Sequence, residues 1–375
     1  MKAELQMHSS FSSEKIISLS ACIQSWGVRV DHLFNSRKGG AGPAEGITLL
    51  LNGRPVNAPT SSDFVVRSPY SLHSENSAFH LLENGSFVCQ VELPSPPHFY
   101  SLRTHDGTPY SKIALLHGID CLASTVFQTC VHWNSPQRCT FCGIELSLLT
   151  GTTIPIKTPQ QLAEVAKAAC DLDDIQHITL TTGTQASSSD ELHYLARCCA
   201  AIKNEIDLPI HVQCMPPEEV TLLELLKKSG TDTVGMHIES FDSNLLHKVA
   251  PGKAALGLKT YLNAWREAVS IFGRNQVSSF LIAGLGEERA SLIEGASLLC
   301  ELGVYPFIVP LRPIPGTPLA QSTPPDPPTI ISIYQEVSQL LKRHSLSWTK
   351  SKAGCVRCSA CSALPDFETC TLSKM

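Results

Sequence analysis

Three cysteines on one stretch, Cys130, Cys139 and Cys142, are the residues of this 375-residue chain best suited by type and spacing to chemistry. Thiolates in a C-x8-C-x2-C pattern can converge on one metal centre, because the Asn134-Ser135-Pro136 turn folds the longer spacer back. Three protein ligands leave one coordination position open. An open position is what a catalytic metal site needs, whereas a structural site is closed by a fourth ligand. Spacing alone fits iron–sulfur and zinc equally. The plainer alternatives are a zinc knuckle completed by His132 or a distant residue, and three unrelated buried thiols.

A second group stands in the tail: Cys355, Cys358, Cys361 and, after a gap of eight residues, Cys370. The C-x2-C-x2-C run resembles three consecutive cluster ligands of bacterial ferredoxins, which predicts an auxiliary iron–sulfur cluster with structural zinc as the runner-up. The remaining thiols divide simply. Cys22, Cys89, Cys170, Cys198, Cys199 and Cys300 fall on helix or strand faces and read as small apolar groups. Cys214 ends a strand near the presumed site, and Cys121 is the only nearby substitute for Cys130.

Composition narrows the function. The count of 15 cysteines is odd, and the first residues carry Glu4 and Glu14 with no apolar core, so neither a secretory signal nor a disulfide framework is expected. A cytoplasmic protein is the expectation, and no stretch approaches the 18 apolar residues of a membrane span. With 29 basic against 34 acidic side chains there is no basic stripe, so nucleic acid is not an expected partner.

These residues need a scaffold. Residues 1–112 are rich in Gly, Pro and Asn turns, with a helix near 14–27 and strands at 46–51, 64–67 and 87–91, a β-rich N-terminal module. From about residue 120, apolar runs alternate with helical periods. Strands are predicted at 122–129, 175–182, 209–215, 233–239, 277–283 and 304–311. Helices are predicted at 158–169, 190–202, 217–228, 258–272 and 288–302, and a last helix at 329–344 behind the Pro-rich linker 322–328. Six β/α repeats mean a parallel sheet, open or curled; periodicity does not choose between these. Tyr261 and Trp265 read as core, as do His211 and His237.

The motifs in this order resemble the radical S-adenosylmethionine (radical SAM) superfamily. Cys139-Thr-Phe141-Cys142 resembles its cluster loop, with an aromatic before the last cysteine. Thr182-Gly183-Thr184 falls where the family's Gly-Gly-Glu stretch binds the methionyl amine. Gly235-Met-His237-Ile-Glu239-Ser240 resembles its ribose motif, and Ile282-Ala-Gly284-Leu-Gly286-Glu287 its adenine motif. Pro310-Leu-Arg312-Pro313 and the residues to Pro318 resemble biotin-synthase-like members. The subfamily most resembled is the uncharacterised one often encoded beside a nitrilase, which shares the glycine-rich loop at 39–42 and the terminal cysteines. Two departures stand out: the family's first cysteine gap is three residues rather than eight, and Thr182-Gly183-Thr184 has no acid.

The resemblance implies a partial (β/α)6 TIM-type barrel over 113–320, a linker and last helix over 321–349 and an auxiliary cluster-binding tail over 350–375. It implies an open-site [4Fe–4S] cluster on Cys130, Cys139 and Cys142, with S-adenosylmethionine bound by Phe141, Thr182, Gly183, Thr184, Glu239, Gly284, Gly286 and Arg312. The activity implied is reductive cleavage to a 5′-deoxyadenosyl radical that takes hydrogen from a small-molecule substrate, fed by an external one-electron reductant of flavodoxin or ferredoxin type. The competing reading is a non-catalytic iron–sulfur electron-transfer or sensor protein. Two basic features stay open at this level: Arg37-Lys38 before the 39–42 loop suits an anion or a plain surface loop, and Arg312 suits a substrate carboxylate or an ion pair.

Overall fold

The computed structural model describes residues 13–31, 37–38, 45–76 and 78–369. The glycine-rich loop at 39–42 and Cys370 lie outside the described residues.

The N-terminal part begins with α1 (Ser13–Trp26). Seven short strands follow: β1 (Arg29–Val30), β2 (Arg37–Lys38), β3 (Glu45–Leu51), β4 (Arg54–Ala58), β5 (Tyr70–Glu75), β6 (Ala78–Glu83) and β7 (Ser86–Val91). They form two small sheets, ordered β1-β5-β6-β7 and β2-β3-β4. Asn52-Gly53, with both residues at positive φ, closes the β3–β4 hairpin as a primed turn does. One expected strand is absent. Residues 64–67 belong to a 3-10 turn, Asp63–Arg67, held by Val65 N–H to Ser62 O at 3.0 Å and Ser68 N–H to Val65 O at 2.9 Å. A strand would put Phe64 and Val66 on one face, but Phe64 and Val65 are buried while Val66 is 77% exposed.

The barrel strands are β8 (Leu115–His117), β9 (Cys121–Thr125), β10 (His177–Thr181), β11 (Ile210–Gln213), β12 (Thr231–Gly235), β13 (Val277–Ala283) and β14 (Tyr305–Pro310). They form one sheet in the order β14-β13-β12-β11-β10-β9-β8, curled into a half-barrel. The six from β9 to β14 are parallel, as the repeats required, and β8 is an antiparallel edge strand that the periodicity did not reveal. The covering helices are α2 (Leu146–Leu149), α3 (Pro159–Asp173), α4 (Ser188–Glu205), α5 (Leu222–Lys228), α6 (Ser243–Val249), α7 (Pro251–Phe272) and α8 (Arg289–Leu302). The last three helices are α9 (Pro327–Arg343), α10 (Cys355–Cys358) and α11 (Leu364–Thr369).

Local chemistry sets these boundaries. Thr158 and Gln161 form a reciprocal capping box at the start of α3, with Pro159 in its first turn. α7 begins seven residues before the expected 258, because the chain restarts as helix at Pro251 and breaks only at Gly257, where φ is 72°. α5 begins at Leu222 rather than 217.

Leu162, Val165, Ala166 and Ala169 of α3 are buried in the barrel core, as are Tyr261 and Trp265 of α7. Trp265 is fully buried and its indole N–H donates to Met236 O at 3.0 Å. Trp265→Ala is expected to cost about 3–5 kcal/mol, read as a lowered urea midpoint with an unchanged slope. Among the described residues no helix is long and apolar enough to cross a membrane.

The tail after α9 packs onto the sheet of the half-barrel. Ser362 Oγ donates to Ile308 O on β14 at 2.5 Å, while Cys358 packs on Cys121 at the start of β9. Thr233 Oγ1 reaches Ala353 O at 3.3 Å, so the tail meets the inner face of the sheet between its two edges.

Candidate metal centre and cofactor site

The loop after β9 carries the first cysteine group at the C-terminal end of the barrel, where chemistry sits in folds of this kind. Its long spacer folds as two successive turns, Trp133 N–H to Cys130 O at 2.9 Å and Ser135 N–H to His132 O at 3.1 Å. The Arg138 guanidinium covers the Trp133 ring at 3.4 Å from its centroid. Outside partners pin both ends: Cys130 N–H donates to Glu145 Oε1 at 2.9 Å, and Thr140 N–H to Val249 O at 2.8 Å. The eight-residue gap is therefore absorbed by turns, and Cys130 stays with Cys139 and Cys142.

The three thiols are half-buried and lie within electrostatic reach of one another. Burial pushes Cys142 up to about 11 and Cys139 up to about 12, with the neighbouring thiols adding to it and Lys253 opposing it. Cys121, the possible substitute for Cys130, is at the opposite end of β9. Among the described residues no three His, Cys, Asp or Glu side chains stand at the spacing that holds a single metal ion. Three unpaired soft thiols, gathered beside a lysine on a strand-end loop, fit an iron–sulfur cluster open at one iron.

The expected cofactor contacts are brought to this loop. Gly183 N–H donates to Phe127 O at 2.8 Å, and Val131 N–H to Thr184 O at 2.9 Å, zipping the stretch after β10 onto the cysteine loop. The approach is close enough that a Cβ on Gly183 would lie 2.1 Å from Thr129 O. Gly183→Ala must therefore displace backbone next to Cys130. It is expected to cost about 1–3 kcal/mol and to reduce iron retained per chain after gel filtration. Thr182 Oγ1 donates to Gly183 O at 2.9 Å.

Two residues here carried no sequence signal. Gln185 Nε2 donates to Thr129 O at 3.0 Å and Gly183 O at 2.7 Å, and Gln185 N–H donates to buried Glu191 at 2.8 Å. Burial pushes the Glu191 carboxyl up to about 7. The acid missing from Thr182-Gly183-Thr184 thus has a nearby counterpart on α4, though it braces the loop rather than facing out.

Glu239 sits just beyond β12 with φ at 73°, a left-handed conformation for a side chain that rarely adopts it. Its Oε1 accepts from Lys253 Nζ at 2.5 Å, and Lys253 also donates to His237 O at 2.6 Å. Glu239 Oε2 is buried with no partner, free to accept hydroxyl hydrogen bonds. Lys253 lies close to Cys139, so the ion pair joins the ribose-like motif to the cysteine loop. Past β13, Gly284 and Gly286 both have positive φ, and the missing Cβ of Gly284 leaves room for Pro325 Cδ, 2.8 Å from where it would stand. Glu287 in this motif accepts from Phe241 N–H at 3.2 Å and Ser291 Oγ at 2.7 Å. Phe141 packs against the barrel core.

Arg312 is placed differently from the expectation of a cofactor contact. Its guanidinium turns to the N-terminal module, donating to Asn57 Oδ1 at 2.5 Å, Asn57 O at 3.1 Å and Glu45 O at 3.2 Å. It fastens β3 and β4 to the barrel.

His211 and His237 read as satisfied core residues, and each is only half satisfied. Nδ1 of His211 meets Thr233 Oγ1 at 2.7 Å, and Nδ1 of His237 accepts from Phe280 N–H at 3.2 Å. Both Nε2 atoms are buried without partners and converge on Gly235, each 3.0 Å from where its Cβ would be. Burial pulls His211 down to about 3 and His237 well below its ordinary value, so both are neutral rings inside the barrel.

Comparison with known proteins adds four findings. In solved structures the chain resembles methylornithine synthase PylB (16% identity, TM-score 0.45, 61% of this chain and 64% of that one). It also resembles the FeFe-hydrogenase maturase HydG from Carboxydothermus hydrogenoformans (19% identity, TM-score 0.44, 66% of this chain and 56% of that one). It thus spans less than two thirds of the length of either. In sequence it is 22% identical over 323 residues to bacteriochlorophyllide c C-7(1)-hydroxylase of Chlorobaculum limnaeum, covering 80% of this chain and 79% of that protein. Residues 135–299, from the cysteine loop to α8, match the family described as the Radical SAM superfamily. That match takes in β10 to β13 together with Cys139 and Cys142, and it begins after Cys130.

Proposed function

We propose that the protein is a radical SAM enzyme of biotin-synthase-like type, acting on a small molecule held inside the half-barrel. The observation that carries this is the grouping of Cys130, Cys139 and Cys142 beside the Lys253–Glu239 pair at the C-terminal end of β9. These cysteines would hold the [4Fe–4S] cluster. The backbone at Thr182, Gly183 and Thr184 would receive the amino end of S-adenosylmethionine, and Glu239 Oε2 its ribose hydroxyls. When bound, cluster and cofactor together supply reductive cleavage of the sulfonium and, through it, hydrogen abstraction from substrate.

The chain's own residues do the positioning. Lys253 fixes one Glu239 oxygen so that the other points in a single direction. Neutral His211 and His237 offer a nitrogen each to a polar substrate without placing charge in the barrel. The tail packs onto the sheet at Cys121, His177 and Thr233 and would keep water from that part of the interior. Half-buried Cys355 and the buried thiols of Cys358 and Cys361 support the reading of an auxiliary iron–sulfur cluster. An external flavodoxin or ferredoxin would deliver the electron.

An anaerobic assay with S-adenosylmethionine and dithionite tests the reading. 5′-Deoxyadenosine should form, and deuterium from a labelled substrate should appear in it. Clusters without any 5′-deoxyadenosine would instead indicate an electron carrier.

A further inference from the structure

The tail cysteines do not stand alone. Cys355 and Cys358 bound α10, and Cys361 follows it. Cys121, 237 positions before Cys358 in the sequence, is the first residue of β9 and is buried. Its side chain packs against that of Cys358, and Cys355 lies within electrostatic range of it. The geometry points to Cys121 as the fourth thiolate of the tail's iron–sulfur cluster, which places that cluster at the barrel's N-terminal end, opposite the loop that holds Cys139. This rests on the reading of the tail as an iron–sulfur site.

Every one of these four sulfurs has a polar neighbour from the barrel. Thr179 Oγ1 is 3.3 Å from Cys121 Sγ, and Gln213 Nε2 donates to Cys355 Sγ at 3.2 Å. His117 faces Cys358 Sγ with Nδ1 at 3.3 Å and Cys361 Sγ with Nε2 at 3.4 Å. Hydrogen bonds to cluster sulfurs are what tune such centres and orient their ligands. One such contact is not distinctive, since Thr231 Oγ1 also donates to Cys199 Sγ at 3.4 Å; what sets this group apart is that thiols from two distant segments meet with a polar partner on each.

Four thiols from two segments, three of them in a C-x2-C-x2-C run, make the ligand set of a four-iron cluster, and iron and sulfide content separates it from a zinc site.

The tail backbone is seated to hold this arrangement. Gly354 N–H donates to His177 Nδ1 at 3.2 Å, and His211 Cγ would be 2.4 Å from a Cβ on Gly354, so only glycine lets Cys355 enter so far. A cleft of about 410 Å³, bordered by Arg54, Asp120, Trp348, Arg357 and Cys358, opens onto the site and gives iron and sulfide a way in.

The test uses full-length protein, reconstituted anaerobically with iron and sulfide and analysed for both per chain. Wild type should hold about eight irons as two four-iron clusters. Cys121→Ser should hold about four and still form 5′-deoxyadenosine, which shows that it is folded. Cys370→Ser should keep about eight. A Cys121→Ser protein with a full complement, or a Cys370→Ser protein with half of it, overturns the assignment. So does wild type holding about four irons, and in that case the radical SAM reading survives if 5′-deoxyadenosine forms. Wild type with about eight irons but no 5′-deoxyadenosine would remove the radical SAM reading and leave the Cys121 assignment to the variants. Thr179→Val keeps every thiol in place. It should retain all iron and lower the reduction potential of the tail cluster, and an unchanged potential counts against Cys121 as a ligand.

Discussion

Cys139→Ala is expected to release about four irons per chain and to end 5′-deoxyadenosine formation. Cys139 is the central thiol of the loop, in electrostatic contact with Cys130, Cys142, Lys253 and Glu239 at once. With three protein ligands on an open cluster there is no spare thiolate to replace it, since Cys121 is held at the other end of β9 by Cys358. The loss should exceed the roughly 10–100-fold that follows removal of an outer hydrogen-bond partner of a metal site. Iron and sulfide content and the 5′-deoxyadenosine assay read it directly. Retention of full activity would place the cluster elsewhere.

Lys253→Met should be the most destabilising single change at the site. Its side chain is 14% exposed and that of Glu239 7%, so removing the ammonium strands a buried carboxylate. Breaking one partner of a buried pair costs about 3–5 kcal/mol. Glu239 also carries a left-handed backbone, which costs about 1–3 kcal/mol and is held in place by this bond and by the bridge to Leu281. Lys253→Met with Glu239→Gln should recover much of the stability, because the stranded charge is gone. Urea denaturation of the two single variants and the double variant gives the coupling energy. Glu239→Gln alone keeps an oxygen to accept from Lys253 Nζ but puts an amide NH2, a donor, where the orphaned oxygen stood, so it should weaken S-adenosylmethionine binding. Additive effects in the cycle would mean that the pair is not coupled.

The barrel was readable because its signals are local. Thr158 and Gln161 announce α3 by themselves, and the apolar runs of β10 and β13 need no distant partner to be strands. The three loop cysteines are likewise neighbours in sequence. Other parts depend on contacts that spacing does not carry. Cys121 looked like an alternative to Cys130, because only the tail's return to β9 shows which thiols it meets. Arg312 looked ligand-directed, because its partners Glu45 and Asn57 lie more than two hundred residues away. Lys253 was hidden by the glycine at 257, which made the first turns of α7 read as loop. His211 and His237 could not be told from core histidines, since an unmatched nitrogen is visible only once its neighbours are in place. The 3-10 turn at Asp63–Arg67 was misread because Phe-Val-Val has strand character and its turn bonds come from Ser62 and Ser68.

The junction between helix α1 and the tail bears on how the molecule assembles. Gln24 Nε2 donates to Ala360 O at 3.0 Å across 336 positions of sequence, and Asn57 N–H donates to the same carbonyl at 2.7 Å. Each parallel strand from β9 to β14 pairs with the next one along the chain, so those closures enclose short loops. Closing the span of 336 positions costs about 2 kcal/mol more in chain entropy than closing one of roughly fifty residues, and contacts of long span form late. The reactive mouth of the barrel is therefore built from near neighbours, while its opposite end is shut last, by a clasp reaching across almost the whole polypeptide.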